Sequence, residues 1–93
     1  MFKTLEELIT VIRQRKVSSA EESYTKKLLK DKKFSVEKIK EEMAELIDAI
    51  EKNTNKIHEA ADVFYHLTMY LEANDIKIEE VLSELNKRKK QTL

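Results

Sequence analysis

The chain predicts an all-α fold, a helical bundle of about five helices whose core is completed by homodimerisation. Three observations lead there. Apolar residues recur at i, i+3, i+4 and i+7 in successive segments, the period of a helix with one buried stripe. Short polar turns such as Asn53-Thr54-Asn55 separate the segments. The fourth segment, Ile57 to Leu71, is apolar around most of its circumference, more than a chain of 93 residues covers by itself.

Taken in order, Thr4-Leu5-Glu6-Glu7 reads as a capping box opening a helix from about Leu5 to Arg15, with Leu5, Leu8, Ile9 and Ile12 on one face. Val17-Ser18-Ser19 breaks it. A short helix within Glu21 to Leu29 follows, centred on Tyr24, Leu28 and Leu29 and strongly basic through Lys26, Lys27, Lys30, Lys32 and Lys33. Ser35 is expected to cap a third helix that reaches about Lys52, with Val36, Ile39, Met43, Leu46, Ile47 and Ile50 as its core-facing stripe. The fourth helix spans about Lys56 to Ala73, stopped by Asn74-Asp75. A last helix from about Ile78 to Lys89 places Ile78, Val81, Leu82 and Leu85 on one face, and its closing Lys87 to Lys90 cluster complements the helix dipole. No repeat, low-complexity tract or linker interrupts residues 1–93, read as a single domain.

Composition narrows the function. With no cysteine, neither a thiolate metal site nor a cysteine nucleophile is available, and a reducing cytoplasm fits. No apolar run approaches the roughly 18 residues of a membrane span, and Met1-Phe2-Lys3-Thr4 shows no secretory signal. Formal net charge is zero with acids and bases interspersed, unlike a nucleic-acid binder. Glycine is absent, which excludes glycine-rich phosphate loops; any phosphate chemistry runs on metal and side chains.

The acids carry the functional signal. Glu42 and Glu45 sit at i, i+3 beside the stripe of the third helix. Glu59, Asp62 and His66 fall at i, i+3 and i+7 in one line down the apolar fourth helix. A buried carboxylate without a partner costs several kcal/mol or more, so acids that interrupt apolar surface call for a cation. Four carboxylates from two helices joined by a short turn suit a hard ion, Mg²⁺ or Mn²⁺. The bland reading is a solvated face with i,i+4 pairing among Lys38, Lys40, Glu41, Glu42 and Glu45. His58 reads as a surface residue.

Glu41-Glu42-Met43-Ala44-Glu45 followed by Glu59-Ala60-Ala61-Asp62 resembles the paired acidic motif of the MazG-type all-α nucleotide pyrophosphohydrolases. Ser23-Tyr24-Thr25 with Leu28-Leu29, Lys38 to Glu42, and Glu59 to Leu67 with its Asp-x-x-Tyr-His resemble, more narrowly, the phosphoribosyl-ATP pyrophosphohydrolase family of histidine biosynthesis. The likeness runs nearly the whole chain in order. Two places depart from it: Ala20-Glu21-Glu22 stands where the family commonly has Pro-Glu-Gly, and Lys40 where it commonly has glycine.

The resemblance implies Mg²⁺-dependent hydrolysis of the α–β phosphoanhydride of phosphoribosyl-ATP to phosphoribosyl-AMP and pyrophosphate, in an obligate homodimer. It implies metal on Glu42, Glu45, Glu59 and Asp62, with Glu41 or Glu45 taking the proton of the attacking water. It nominates Lys16, Lys27, Lys38 and Arg88 for the substrate phosphates. Ser23 and Thr25 are candidate phosphate or ribose donors, Tyr24 either stacks on adenine or fills the bundle, and His66 either orients a carboxylate or touches phosphate. A separate phosphoribosyl-AMP cyclohydrolase is a partner the resemblance leaves open. Two other readings stand beside it: a house-cleaning MazG-type enzyme for another nucleoside triphosphate, and a non-catalytic helical dimerisation module.

Overall fold

The computed structural model describes residues 2–17 and 24–91. These form five helices and, among the described residues, no strand: α1 (Lys3–Val17), α2 (Tyr24–Lys30), α3 (Lys32–Lys52), α4 (Lys56–Ala73) and α5 (Ile78–Gln91). The boundaries of α4 are those its periodicity predicts. Two expected caps are not where the sequence suggested. Thr4 lies inside α1, which starts at Lys3, the Glu6 amide donating to the Phe2 carbonyl. Asp31 caps α3, accepting from the Phe34 amide at 3.1 Å, so the helix begins three residues before Ser35. Asp and Ser cap about equally well, and the choice between them went to the residue whose side chain meets a free amide of the first turn. Ser35 instead lies one turn into the helix, 1% exposed, its hydroxyl without a hydrogen-bond partner. Part of the expected second helix, Glu21 to Ser23, lies outside the described residues.

With no glycine, asparagine and aspartate take the left-handed turns, as their short polar side chains allow. Asn53 has φ 56° and Asn55 φ 41°; Asp75 has φ 58°. The Thr54 amide bonds the Ala49 carbonyl at 2.9 Å and the Asn53 amide that of Ile50 at 3.2 Å, a Schellman closure of α3. Asp75 and Ile76 close α4 the same way, bonding Glu72 and Leu71. The three-residue turn folds α3 and α4 into an antiparallel hairpin, against which α2 and α1 pack.

The core of the single chain is small: Ile12, Leu28, Leu29, Met69 and Ala73, with Leu8, Phe34 and Tyr65 packed on it. It lies at the far end of α4 from the turn. The expected inward stripe of α3 is only partly covered, since Met43, Ile47 and Ile50 are exposed, as are Ile57, Phe64 and Leu67 on α4. The chain exposes 7096 Å², about a quarter more than the roughly 5,600 Å² of a folded monomer of its 11.0 kDa. Its radius of gyration, 14.6 Å, likewise exceeds the roughly 12 Å of a compact domain of this length.

α5 buries no residue. A polar fork ties it down: Arg13 on α1 donates through Nη1 and Nη2 to both oxygens of Glu79, at 2.9 and 2.6 Å, and through Nε to Glu72 on α4 at 2.9 Å. These bonds raise the guanidinium pKa above its ordinary value and lower the Glu79 carboxyl to about 2. Between α1 and α5 lies an apolar groove of about 570 Å³, lined by Phe2, Leu5, Ile9, Ile78 and Leu82.

Met69→Ala, at a fully buried position, is expected to cost about 2–5 kcal/mol in urea denaturation. Arg13→Ala strands the buried Glu72 carboxylate, and a loss of about 1–3 kcal/mol is expected, tempered by the solvent exposure of the arginine. Because the folded Glu79 pKa is depressed, its tie is intact above the ordinary carboxylate range and lost as pH falls towards about 2. Protection of the α5 amides, taken relative to their intrinsic exchange rate at each pH, should therefore fall in acid, and Glu79→Gln should show the low protection already at neutral pH.

Candidate active site

The hairpin sets the site. Glu45 and Asp62 stand nearly equally far from Thr54 on the two helices of the hairpin, and so at one height along its axis. Glu42 lies one turn beyond on α3, and Glu59 one turn nearer the bend on α4. One oxygen from each of Glu42, Glu45 and Glu59 lies within 4.8 Å of the others. His58, Glu59 and Asp62 form a second such group, so Glu59 belongs to both. Three of the four predicted acids thus lie together, and Asp62 adjoins them through Glu59.

Their electrostatics are those of a site built for a cation. Glu42 is 9% exposed, and its Oε2 and that of Glu59 are buried without a hydrogen-bond partner. Burial pushes the Glu42 carboxyl above its ordinary range, and the Glu45 charge adds to it. Glu59 is raised for the same reasons, burial first, then Glu45 and Asp62. Buried polar groups are nearly always satisfied. Here orphaned carboxylate oxygens sit beside like charges, and a divalent ion is the partner that meets both needs. The donors are oxygens, the set that Mg²⁺ and Mn²⁺ take.

Glu41 points elsewhere: it accepts from Lys38 Nζ at 3.4 Å, a bond that raises the lysine. Lys38 and Lys27 each set an ammonium group over the Phe34 ring, 5.7 and 4.3 Å from its centroid. Tyr24 meets the same ring edge-on at 6.0 Å. Phe34 thereby gathers two of the predicted phosphate lysines and the predicted adenine-stacking tyrosine. Its position one turn before Lys38, between lysine-rich stretches, is the sequence signal that marks it.

His66 is buried, and both ring nitrogens are engaged. Nδ1 faces the Asp62 main-chain carbonyl at 2.9 Å, an oxygen that only accepts, so Nδ1 carries the proton. Nε2 then accepts from the Tyr24 hydroxyl at 2.8 Å. Thr25 shares a hydrogen bond with the Tyr65 hydroxyl. Together these bonds lock α2 onto α4 beside the acids. Tyr24 remains half exposed, with burial of its hydroxyl raising its pKa. His66 thus orients the backbone of a candidate ligand rather than its carboxylate.

Two nominated cations are held away from the acids within this chain. Lys16 donates to the Glu72 carbonyl and, at 2.7 Å, to Asp75, at the opposite end of α4. Its ammonium group lowers the Asp75 carboxyl. Arg88, on α5, donates to Glu84 at 3.2 Å. Ser23 lies outside the described residues. His58, exposed as expected, has Nε2 3.4 Å from Asp62 Oδ2.

Comparison with known proteins gives the family of the chain. The chain is 44% identical over 87 residues to the phosphoribosyl-ATP pyrophosphatase of Rhodobacter capsulatus, a match covering 90% of this chain and 84% of that one. It is 42% identical over 92 residues to the Clostridium novyi protein of the same name, covering 92% and 81%. The histidine biosynthesis bifunctional protein HisIE of Pyrococcus furiosus is 42% identical over 87 residues, which are 92% of this chain and 41% of that longer protein. The family model for phosphoribosyl-ATP pyrophosphohydrolase matches residues 5–89, from the first turn of α1 to the last turn of α5 and across both acidic pairs. The chain belongs to the phosphoribosyl-ATP pyrophosphohydrolase family.

Proposed function

We propose that this chain hydrolyses the α–β phosphoanhydride of phosphoribosyl-ATP, releasing pyrophosphate and phosphoribosyl-AMP in histidine biosynthesis, with Mg²⁺ or Mn²⁺ held by Glu42, Glu45, Glu59 and Asp62. The observation that carries the reading is the pair of buried, unpartnered carboxylate oxygens on Glu42 and Glu59 inside a cluster of acids. When bound, the ion offsets the phosphate charge and activates water for attack on phosphorus. Glu45 takes the proton of that water, because its carboxylate lies within the acid triad whereas that of Glu41 is held by Lys38. A water oxygen bonds to phosphorus as the bridging P–O bond breaks and pyrophosphate leaves. Lys27 and Lys38 hold phosphate oxygens, and Tyr24, half exposed, receives the adenine.

The active form is a homodimer. Uncovered apolar residues on α3 and α4, together with an excess of roughly 1,500 Å² of surface, match one side of an obligate interface. A cyclohydrolase acting on phosphoribosyl-AMP is the partner that would consume the product; the length of the Pyrococcus furiosus bifunctional relative outside the match is consistent with such a coupling.

The decisive measurement is pyrophosphate release from phosphoribosyl-ATP by the full chain with Mg²⁺, beside a panel of ordinary and damaged nucleoside triphosphates at equal concentration. Phosphoribosyl-ATP should be the preferred substrate. Preference for another nucleotide would transfer the site to a house-cleaning role. Glu42→Gln and Asp62→Asn should each cut release about a hundredfold or more with helix content unchanged. Mg²⁺ at a hundred times its Kd should stabilise the native chain by about 2.7 kcal/mol. That corresponds to a Tm rise of roughly 10 °C or more in calorimetry. In Glu42→Gln the metal-free Tm should instead rise by a few degrees, as burial and like-charge repulsion are relieved, and the response to Mg²⁺ should shrink.

A further inference from the structure

The acid cage is bordered by a nitrogen donor. The segment His58-Glu59-Ala60-Ala61-Asp62 sets an imidazole and a carboxylate one helical turn apart on one face, the i,i+4 spacing with which paired histidines on a helix bind zinc. His58 Nε2 stands 3.4 Å from Asp62 Oδ2. Neighbouring ligands on an octahedral ion with bonds of about 2.1 Å lie roughly 3.0 Å apart, so the two donors need to close by only a few tenths of an ångström. His58, Glu59 and Asp62 present one donor atom each within 4.8 Å of one another. Glu59, common to this group and to that of Glu42 and Glu45, has its Oε2 buried and unpartnered. Glu42, itself nine-tenths buried, aims a second orphaned oxygen into the same cage. An exposed i,i+4 pair contributes little to stability by itself, so folding energy gives little reason for the imidazole to stand here.

We propose that His58 is a metal ligand on the Asp62 side of the cage, and that it tilts the site from Mg²⁺ towards divalent transition-metal ions. The proposal rests on the reading of the acids as a metal cage. Mg²⁺ prefers an all-oxygen shell, whereas imidazole adds affinity for ions along the series that begins with Mn²⁺. His58 enters from the solvent side, its side chain 70% exposed, and its ring swings onto the ion without disturbing the core. The second histidine is not a competitor for this role, since both of its nitrogens are engaged by Asp62 and Tyr24.

The test is pulsed electron paramagnetic resonance of the full chain loaded with Mn²⁺, together with calorimetric titration by Mn²⁺ and by Mg²⁺. The expected result is nitrogen modulation in the native protein, retained in His66→Gln and lost in His58→Gln. The Mn²⁺-over-Mg²⁺ affinity ratio should fall at least about tenfold in His58→Gln, the scale on which metal sites respond to losing a supporting group. His58 is exposed, so its replacement leaves the fold intact. Mn²⁺ binding without nitrogen modulation, or with modulation and affinity ratio indifferent to His58→Gln, overturns the role of His58 and leaves the acid cage standing. Failure of the native chain to bind Mn²⁺ at all removes the cage and His58 together.

Discussion

Carboxylate repulsion inside a helical hairpin is the constraint around which this molecule is arranged. Burial, and after it the charges of Glu45 and Asp62, raise the proton affinity of Glu42 and Glu59, and an oxygen of each of these two is buried with no donor to meet it. In a small domain with only a few kcal/mol of net stability, such an arrangement is a considerable burden. The family to which the chain belongs supplies the reason it is tolerated. A pyrophosphohydrolase acts on a polyanion, and the same unfavourable field that weakens the fold would give the proposed divalent ion its affinity.

The rest of the structure keeps that field in place. The Asn53–Asn55 turn sets the register of α3 against α4, which decides which acids face one another. α2 is fastened over the site by Tyr24 to His66 and by Thr25 to Tyr65, and Phe34 collects the lysines that an anionic substrate would meet. α1 acts at the far end. Arg13 and Lys16 there hold the end of α4 and the start of α5, so Lys16, nominated for the substrate phosphates, stands as a strut within the single chain.

Periodicity and spacing made the helices and the acid cage legible. α4 is bounded as expected because both of its ends carry polar turn residues that stop a strong apolar pattern. The cap of α3 was misplaced because Ser35 has an equally good competitor in Asp31, and only the path of the preceding chain decides between them; α1 begins at Lys3, with Thr4 already inside it. The stripe on α3 was read correctly as apolar, yet Met43, Ile47 and Ile50 are exposed. A wheel shows that a face is apolar without showing whether this chain or another covers it. Lys16 escaped correct placement for a related reason: a lone cation carries no mark of its partner, and Asp75 is 59 residues away. The convergence of Phe34, Lys27, Lys38 and Tyr24 was hidden because α2 is short and its packing follows from tertiary contacts.

All four acids lie between Glu42 and Asp62, on two helices joined by a three-residue bend, whereas the Arg13–Glu72 strut spans 59 positions. Closing the hairpin costs little chain entropy, and closing the strut costs more. The hairpin that carries the acids is therefore a local unit whose assembly does not wait for the ends of the chain. Its own charges resist that assembly, so a divalent cation bound there as proposed would serve as a template for folding as well as for chemistry.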